Sequence, residues 1–381
     1  MDLKDYRAQI DEIDDQLVKL FVRRMEVARG ISEYKKAQGL PILDAGRERE
    51  KLSAICAKVE PEMRNYTSVL YSSLFELSRS YQAQQMEQYS ELSHRINAAL
   101  ENTPKLLPQN VSVAVSGVEG AYAQIASEKL FRVPSLMYFN NFDGVFSAIE
   151  QGLCKYGIVP IENSTAGTVK AVCDLMMRRN FYIVRSVRLK IDHNLLAAPG
   201  VKLGDIREIV SHEQAISQCA AFLKTLGKDV KITAVANTAK AAEMVAKSER
   251  RDIAAICSRS CMELYGLDCL QYNVQDQGNN YTRFICISKD LEIYPGADRC
   301  SIMLSTAHKP GALYKLLARF YALGINITKL ESRPIPDRDF EFMFYFDLEC
   351  SVYSPEFVQI ISELHAGSEA FSYLGSYSEV I

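Results

Sequence analysis

The sequence predicts a chain of three units: an all-helical N-terminal segment, an α/β middle and a C-terminal α+β segment of order βαββαβ. Three observations carry this. Apolar residues recur at three- and four-residue spacing, without strand-like alternation, through roughly the first hundred residues. A two-proline stretch, Asn102–Pro108, then breaks the pattern, and beyond it short apolar runs alternate with amphipathic helices. From Cys300 onward the order reads strand, helix, strand, strand, helix, strand. The expected units are 1–100, a linker at 101–110, 111–290 and 299–381, in keeping with 381 residues at roughly 100–200 per domain.

The first unit opens on Leu3, Tyr6, Ile10, Ile13, Leu17 and Leu20, a register resumed by Val27, Ile31 and Tyr34. At 1.5 Å per residue a helix over 3–38 spans about 50 Å, more than a small domain covers, so a partner subunit is expected against it. Gly39-Leu40-Pro41 ends it and a short charged helix follows Asp44. A third helix runs from Pro61 with Met63, Tyr66, Leu70, Leu74, Leu77 and Tyr81 inward, and Tyr89, Leu92, Ile96 and Leu100 continue a weaker stripe in the same unit. In the middle unit, strands are expected at Val111–Val115, Tyr156–Ile161, Ile206–Val210, Ile232–Val235, Ile253–Ile256 and Thr282–Ile287, largely parallel, with a helix near 121–131. The last unit places helices at Pro310–Leu323 and Pro355–His365 among strands from Cys300, Ile325–Leu330, Glu341–Leu348 and Phe371–Tyr377, the ferredoxin-like pattern.

Composition narrows the function classes. With 48% hydrophobic and 24% charged residues the chain is neither disordered, collagen-like nor an all-apolar membrane body. A formal charge of −3 gives no global reason to bind nucleic acid or an anionic membrane, so any anion site must be local. The ten cysteines form no C-x-x-C pair and no His partner stands at zinc-ligand spacing, so no metal is expected. Reduced, buried thiols, no basic-then-apolar leader and no run near eighteen apolar residues together read as cytoplasmic.

Arg24 falls on the helix seam between Leu20 and Val27, where the register calls for an apolar residue, and Lys35 projects from nearly the same face three turns later. Inward cations are costly unless paired, so the seam is expected to meet an anion, either Asp44 or Glu48 or a bound one. An Arg24 that snorkels to the surface would remove that need. Arg7 near the helix start, Arg47 beside Glu48 and the i, i+4 pair Ser78 and Gln82 bring polar residues from all three helices. This constellation, above all Arg24 to Lys35 followed by Asp44-Ala-Gly-Arg-Glu48, resembles the all-helical chorismate mutase domain, an intertwined homodimer. The resemblance implies Arg7 in the partner subunit's site, Arg24 and Lys35 on a substrate carboxylate, and Asp44 and Glu48 at the ring hydroxyl. It further implies Ser78 at a carboxylate, Gln82 with Lys35 at the ether oxygen, and Arg47 beside them. Rearranging chorismate to prephenate needs no nucleophile, base or metal, only a folded pose and positive donors at the developing ether anion.

In the middle unit, Pro160-Ile-Glu-Asn-Ser-Thr-Ala-Gly-Thr-Val169 ends a strand in a polar turn read as opening a helix. Asn163, Ser164 and Thr165 there offer donors to a carboxylate, or form an ordinary helix cap. Asn280-Tyr-Thr-Arg-Phe284 leads a polar loop into an apolar strand. Ser116-Gly-Val-Glu-Gly-Ala-Tyr122 has no Walker lysine and is not read as nucleotide binding, and His212 is read as a helix cap. Glu162–Val169, Ser211-His-Glu-Gln214 and Thr282-Arg-Phe284 together resemble prephenate dehydratase over roughly residues 110–290. The resemblance implies two α/β lobes about a cleft and loss of CO₂ and water from prephenate. It makes Thr282 the catalytic hydroxyl, with Asn163, Ser164, Arg283 and Phe284 at the active site. Two departures stand out: Ala121 where that family usually has Thr, and Glu213 where Pro is common.

Lys309-Pro-Gly-Ala-Leu-Tyr314 and Leu330-Glu-Ser-Arg-Pro334 read alone as a Pro-Gly turn and a strand end. In this order they resemble the amino-acid-binding ACT domain of prephenate dehydratases, which implies a regulatory phenylalanine site between subunits made by Gly311, Ala312, Leu313, Glu331, Ser332, Arg333 and Pro334. The three resemblances stand in pathway order on one chain. They imply a bifunctional enzyme acting on chorismate and prephenate, feedback-inhibited by phenylalanine, without cofactor, as a homodimer or homotetramer. The competing expectations are a middle unit that acts on arogenate, and a non-catalytic small-molecule sensor.

Overall fold

The computed structural model describes residues 2–86, 91–227, 229–335, 341–354 and 370–381, with Phe357, Ile360, Ile361, Leu364, His365 and Ser368; the side chains of 83–86 lie outside that description. Tyr89 and Pro355, both assigned to helices from sequence, fall outside the described residues.

α1 (Leu3–Gln38) is one uninterrupted helix. Asp2 accepts from the N–H groups of Lys4 and Asp5, the Asp5 carboxylate returns to Asp2 N–H, and Gly39 closes the last turn in the left-handed conformation at φ 63°. α2 (Ala45–Cys56) is capped by Asp44, and a 3-10 turn at Pro61–Met63 leads into α3 (Arg64–Met86). Only Ala28 and Ser32 of α1 are buried. Its nine predicted core residues from Leu3 to Tyr34 are 44–66% exposed, and Met63, Tyr66, Leu70 and Leu77 are exposed too, so the stripe has no cover among the described residues.

α4 (Glu91–Asn102) departs from the expected boundary at residue 100. Its buried Leu92, Ile96 and Ala99 pack in one core with Ile302, Phe320 and Phe346, so it belongs to the C-terminal unit rather than to the first three helices.

Next come β1 (Asn110–Ser116), α5 (Tyr122–Leu130), β2 (Val133–Phe139), α6 (Phe142–Glu150), β3 (Tyr156–Asn163), β4 (Gly167–Thr168), α7 (Lys170–Arg178) and β5 (Tyr182–Lys190). The chain then crosses into a second lobe: β6 (Asn194–Ala197), β7 (Glu208–Ser211), α8 (Glu213–Gln218), α9 (Ala220–Thr225), β8 (Lys231–Ala234), α10 (Thr238–Lys247), β9 (Ile253–Cys257), α11 (Ser260–Tyr265) and β10 (Asp268–Gln271). It returns as β11 (Tyr281–Ser288) between β3 and β5. The second lobe is ordered β10-β6-β9-β7-β8. Both sheets are mixed rather than largely parallel: β11 is antiparallel to β3 and β5, and β6 to β9 and β10. Each crossing between lobes reverses the chain, which parallel βαβ units alone would not do.

β12 (Arg299–Ser305), α12 (Ala312–Ala322), β13 (Asn326–Pro334), β14 (Phe342–Glu349) and β15 (Phe371–Tyr377) complete an antiparallel sheet ordered β13-β14-β12-β15, as the βαββαβ pattern predicts. One face, with Ile302, Leu304 and Phe346, packs on α4, α12 and the helical residues Phe357, Ile360, Ile361 and Leu364. The other, with Met303, Tyr345, Leu374 and Tyr377, shares a core with Val159, Ile161, Ile183 and Ile285 of the first lobe. β16 (Glu379–Val380) then joins that lobe's sheet beside β5, and Glu379 accepts from Arg188 Nε and Nη2 at 2.9 and 3.0 Å.

These layers come close at Gly375, whose φ of 128° suits glycine and whose added Cβ would collide with the Ile183 carbonyl oxygen. Gly375→Ala is expected to destabilise the chain by about 2–3 kcal/mol through overpacking and backbone strain, read as a lower melting temperature.

Candidate active sites

The first site lies where three helices meet. Arg24 of α1 donates to the Leu74 carbonyl of α3 at 3.1 Å, with its guanidinium 5.8 Å from the Phe75 ring centre. Burial lowers its pKa, opposed by nearby Tyr71 and Glu48. Glu48 of α2 pairs with Arg79 of α3, Arg79 with Glu76, and Glu76 with Arg319 of α12 at 2.8 and 3.2 Å. Arg79 was not anticipated; its only sequence signal is a cation beside Ser78 on the same helix. Ser78 and Gln82 are buried, Gln82 Nε2 donates to Ser78 Oγ at 3.3 Å, and Gln82 Oε1 has no partner among the described residues.

Lys35 Nζ donates to the Ile42 carbonyl at 2.6 Å, where the α1–α2 loop turns back. Asp44 serves as the α2 cap, and Arg47 faces Glu50 at 3.6 Å in solvent. Arg7 is exposed and stands seventeen residues before Arg24, about 26 Å along one helix, so it cannot reach the pocket of its own chain.

The second site is built on the pairing of β3 with β11. Thr282 opposes Asn163 and Arg283 opposes Glu162, but Phe284 opposes Pro160, which leaves Ile161 as a bulge. The extra residue lets Ile161 face the core while Asn163 meets Thr282 on the opposite side of the sheet.

A chain of amides fixes the donors here. Asn163 Oδ1 accepts from the backbone N–H groups of Thr165 and Ala166 at 3.1 and 2.8 Å, and since those groups can only donate, the amide orientation is set. Asn163 Nδ2 therefore donates to Thr282 Oγ1 at 2.9 Å and to Asn280 Oδ1 at 2.8 Å. Asn280 Nδ2 then donates to Gln218 Oε1 at 2.9 Å, and Gln218 Nε2 to Thr165 Oγ1 at 3.3 Å. His193 must accordingly donate through Nε2 to Gln218 Oε1 at 2.9 Å, which leaves its buried Nδ1 unprotonated and without a partner among the described residues. Burial lowers the His193 pKa and agrees with a neutral ring. Sequence singled out neither His193, Gln218 nor Asn280 as functional, because their roles arise from contacts across the two lobe crossings.

Thr165, Gln214, Gln218, Gln275, Asp276 and Asn280 line a cleft of about 310 Å³ between the lobes. Thr282 is half-buried beside Asn163, from which its Oγ accepts, and its hydroxyl has no acceptor among the described residues.

Several expectations are corrected. The turn after Asn163 opens β4 rather than a helix, and its N–H groups are occupied: Thr165 and Ala166 by Asn163, and Ser164 by the Tyr281 carbonyl at 2.8 Å. Ser164 Oγ clips two strands, donating to the Asn279 carbonyl and accepting from Tyr281 N–H, both at 2.9 Å. Arg283 faces away from Thr282, held by Glu162 at 3.2 Å and by Asp347 of β14. Phe284 is 4% exposed and packs in the core among Val184, Val187 and Tyr156. Ala121 caps α5 without a side-chain bond, and His212 Nδ1 accepts from Gln214 N–H at 3.3 Å as the expected cap.

In the C-terminal unit, Ala312 and Leu313 line a cleft of about 160 Å³ with Thr306, Lys309, Phe342 and Phe344, and Gly311, at φ 79°, starts α12. Ser332 and Pro334 pair with Phe344 and Phe342 and share their face. Alternation sends Glu331 and Arg333 the other way, to Thr168 at 3.1 Å and to Asp174 at 2.8 and 2.9 Å, so these two do not join the cleft.

A family model for chorismate mutase type II matches residues 6–83, and one for prephenate dehydratase matches residues 113–292. The whole chain aligns at 30% identity with 99% of a bifunctional chorismate mutase/prephenate dehydratase of Aquifex aeolicus. Seventy per cent of it aligns at 36% identity with 72% of an arogenate dehydratase/prephenate dehydratase of Arabidopsis thaliana. A prephenate dehydratase from Arthrobacter aurescens, solved with L-Phe, superposes with TM-score 0.65 at 27% identity over 70% of this chain and 90% of that one.

The His193 geometry has a pH consequence. A folded pKa below the unfolded value near 6.5 contributes stability that is complete above that value and is lost as pH falls through it towards the folded one. Melting temperature is expected to fall between about pH 7.5 and about pH 5.5, and more steeply in the parent chain than in His193→Gln.

Proposed function

The chain belongs to the family of bifunctional chorismate mutase/prephenate dehydratases, and on that premise we propose how its residues divide the two reactions. Chorismate is rearranged to prephenate in the helical unit, and prephenate loses water and CO₂ in the two-lobed unit to give phenylpyruvate.

In the mutase step, Arg24 and Ser78 hold substrate carboxylates, Lys35 and Gln82 donate to the ether oxygen as charge develops there, and Asp44 and Glu48, with Arg47 beside them, set the ring hydroxyl. Arg79 keeps Glu48 in place through its ion pair. Arg7 comes from a second copy, and that copy also covers the exposed α1 stripe. This supports a homodimer, with a homotetramer where the C-terminal units pair as well.

In the dehydratase step, the carboxylate leaves as CO₂, its bonding pair enters the ring, and the ring hydroxyl departs as water with a proton delivered to it. The observation that carries the assignment is the Asn163 Nδ2 to Thr282 Oγ1 bond, which fills an acceptor position of the hydroxyl and leaves its proton able to donate. Thr282 is thus a neutral donor to the departing oxygen, and it adds no positive charge that would hold the carboxylate back. The 36% match to an arogenate/prephenate dehydratase keeps arogenate as the second substrate to test, while the fused mutase, which makes prephenate, favours prephenate.

The C-terminal unit is read as an ACT-type sensor whose phenylalanine lies against Gly311, Ala312, Leu313, Ser332 and Pro334, with inhibition of the dehydratase as its output. All ten cysteines are free, and no helix among the described residues is long and apolar enough to cross a membrane.

Assays of each step with purified full chain test this division. Lys35→Ala is expected to lower the mutase rate by about 10²–10³-fold and leave prephenate dehydration intact. Thr282→Ala is expected to do the reverse, by about 10²–10⁴-fold, and added phenylalanine to slow dehydration in the Lys35 variant as in the parent. Loss of both activities in either folded variant contradicts separate sites.

A further inference from the structure

Four charges sit between the dehydratase sheet and the C-terminal sheet without a part in either reaction as described so far. Glu162 and Arg283 are directly opposed on β3 and β11, each one residue from the Asn163–Thr282 pair. Lys329 and Asp347 are directly opposed on β13 and β14. The two pairs face each other with signs crossed: Arg283 meets both Glu162, at 3.2 Å, and Asp347, and Lys329 meets Glu162 at 2.9 Å. The Asp347 and Lys329 side chains are only 2% and 6% exposed, and that of Arg283 10%.

Asp347 is further held by Ser301 Oγ, itself bonded to the Tyr377 hydroxyl at 2.7 Å. Lys329 reaches Thr168 at 2.7 Å, on the short strand after the Asn163 turn. Three corners of the square are buried and Glu162, 36% exposed, is its open one, so displacing Asp347, Lys329 or Arg283 leaves a desolvated charge behind and the arrangement is rigid. Strand alternation makes it consequential: whatever moves Arg283 and Glu162 on one face moves Thr282 and Asn163 on the other.

We propose that Arg283, Asp347, Glu162 and Lys329 are positioning residues for dehydration, through which the C-terminal sheet fixes the Thr282 hydroxyl against the departing ring oxygen; this rests on the assignment of Thr282 as the proton donor. Arg283 thereby acts from the far side of β11 and does not touch substrate.

The test uses the full chain with prephenate, reading kcat and KM separately, with mutase activity as an internal control. Asp347→Asn and Arg283→Lys are each expected to lower dehydratase kcat roughly tenfold, with KM and mutase rate within about twofold of the parent, and the double variant is expected to be no worse than the poorer single one. A purely structural role lowers the melting temperature and leaves kcat near the parent value, which overturns the proposal. So does a loss in Arg283→Lys that lies in KM and is not reproduced by Asp347→Asn, since that marks a direct substrate contact. Should Asp347→Asn fail to fold, Lys329→Met decides: a comparable fall in kcat supports the device, and an unchanged kcat rejects it. A fully active Thr282→Ala would instead remove the underlying assignment, a result separate from either.

Discussion

Much of this molecule depends on one strand pairing, β3 against β11, and on the single extra residue Ile161 within it. The bulge lets apolar side chains fill the core up to Ile161 while Asn163 and Thr282 still meet on the cleft side. On the reverse side the same two strands present Glu162 and Arg283 to the C-terminal sheet. Site geometry and inter-unit contact are therefore consequences of one register, and a slip by one residue would exchange them. The two lobe crossings reinforce it, since His193 and Asn280 lie on them and close the amide chain that orients Asn163.

The helical unit solves a different problem. α1 carries Arg7, Arg24 and Lys35 along one helix whose apolar stripe has no cover among the described residues. Covering each exposed Leu or Ile fully is worth about 1.5–3 kcal/mol, so the proposed association of two copies would supply stability and would also bring a distant Arg7 to another pocket. Glu76 links this unit to α12 through Arg319 and to Glu48 through Arg79, so the C-terminal unit contacts the scaffolds of both sites.

Local rules made much of this legible. The length of α1, its stop at Gly39, the start of α12 at Gly311 and the C-terminal order all follow from periodicity and turn chemistry. Thr282 and Asn163 were found from short motifs and do lie together, at 2.9 Å. β5 was missed because Arg185, Arg188 and Lys190 interrupt its apolar run, and β2 because its outward positions alternate at a sheet edge. α4 looked like a continuation of the helical unit, since an apolar stripe does not say which core it fills. Arg283 and Phe284 were read with Thr282 as one motif, yet strand geometry separates neighbours, and Arg283's partner Asp347 lies 64 residues away. The same alternation keeps Glu331 and Arg333 out of the cleft beside Ala312 and Leu313.

The central claim is that one chain carries chorismate through prephenate to phenylpyruvate at two sites without an added cofactor. The direct measurement is a time course of purified full chain with chorismate alone, following all three compounds. The account predicts that chorismate falls, prephenate rises and then declines, and phenylpyruvate accumulates to match the chorismate consumed. Prephenate that accumulates to completion with no phenylpyruvate would contradict it.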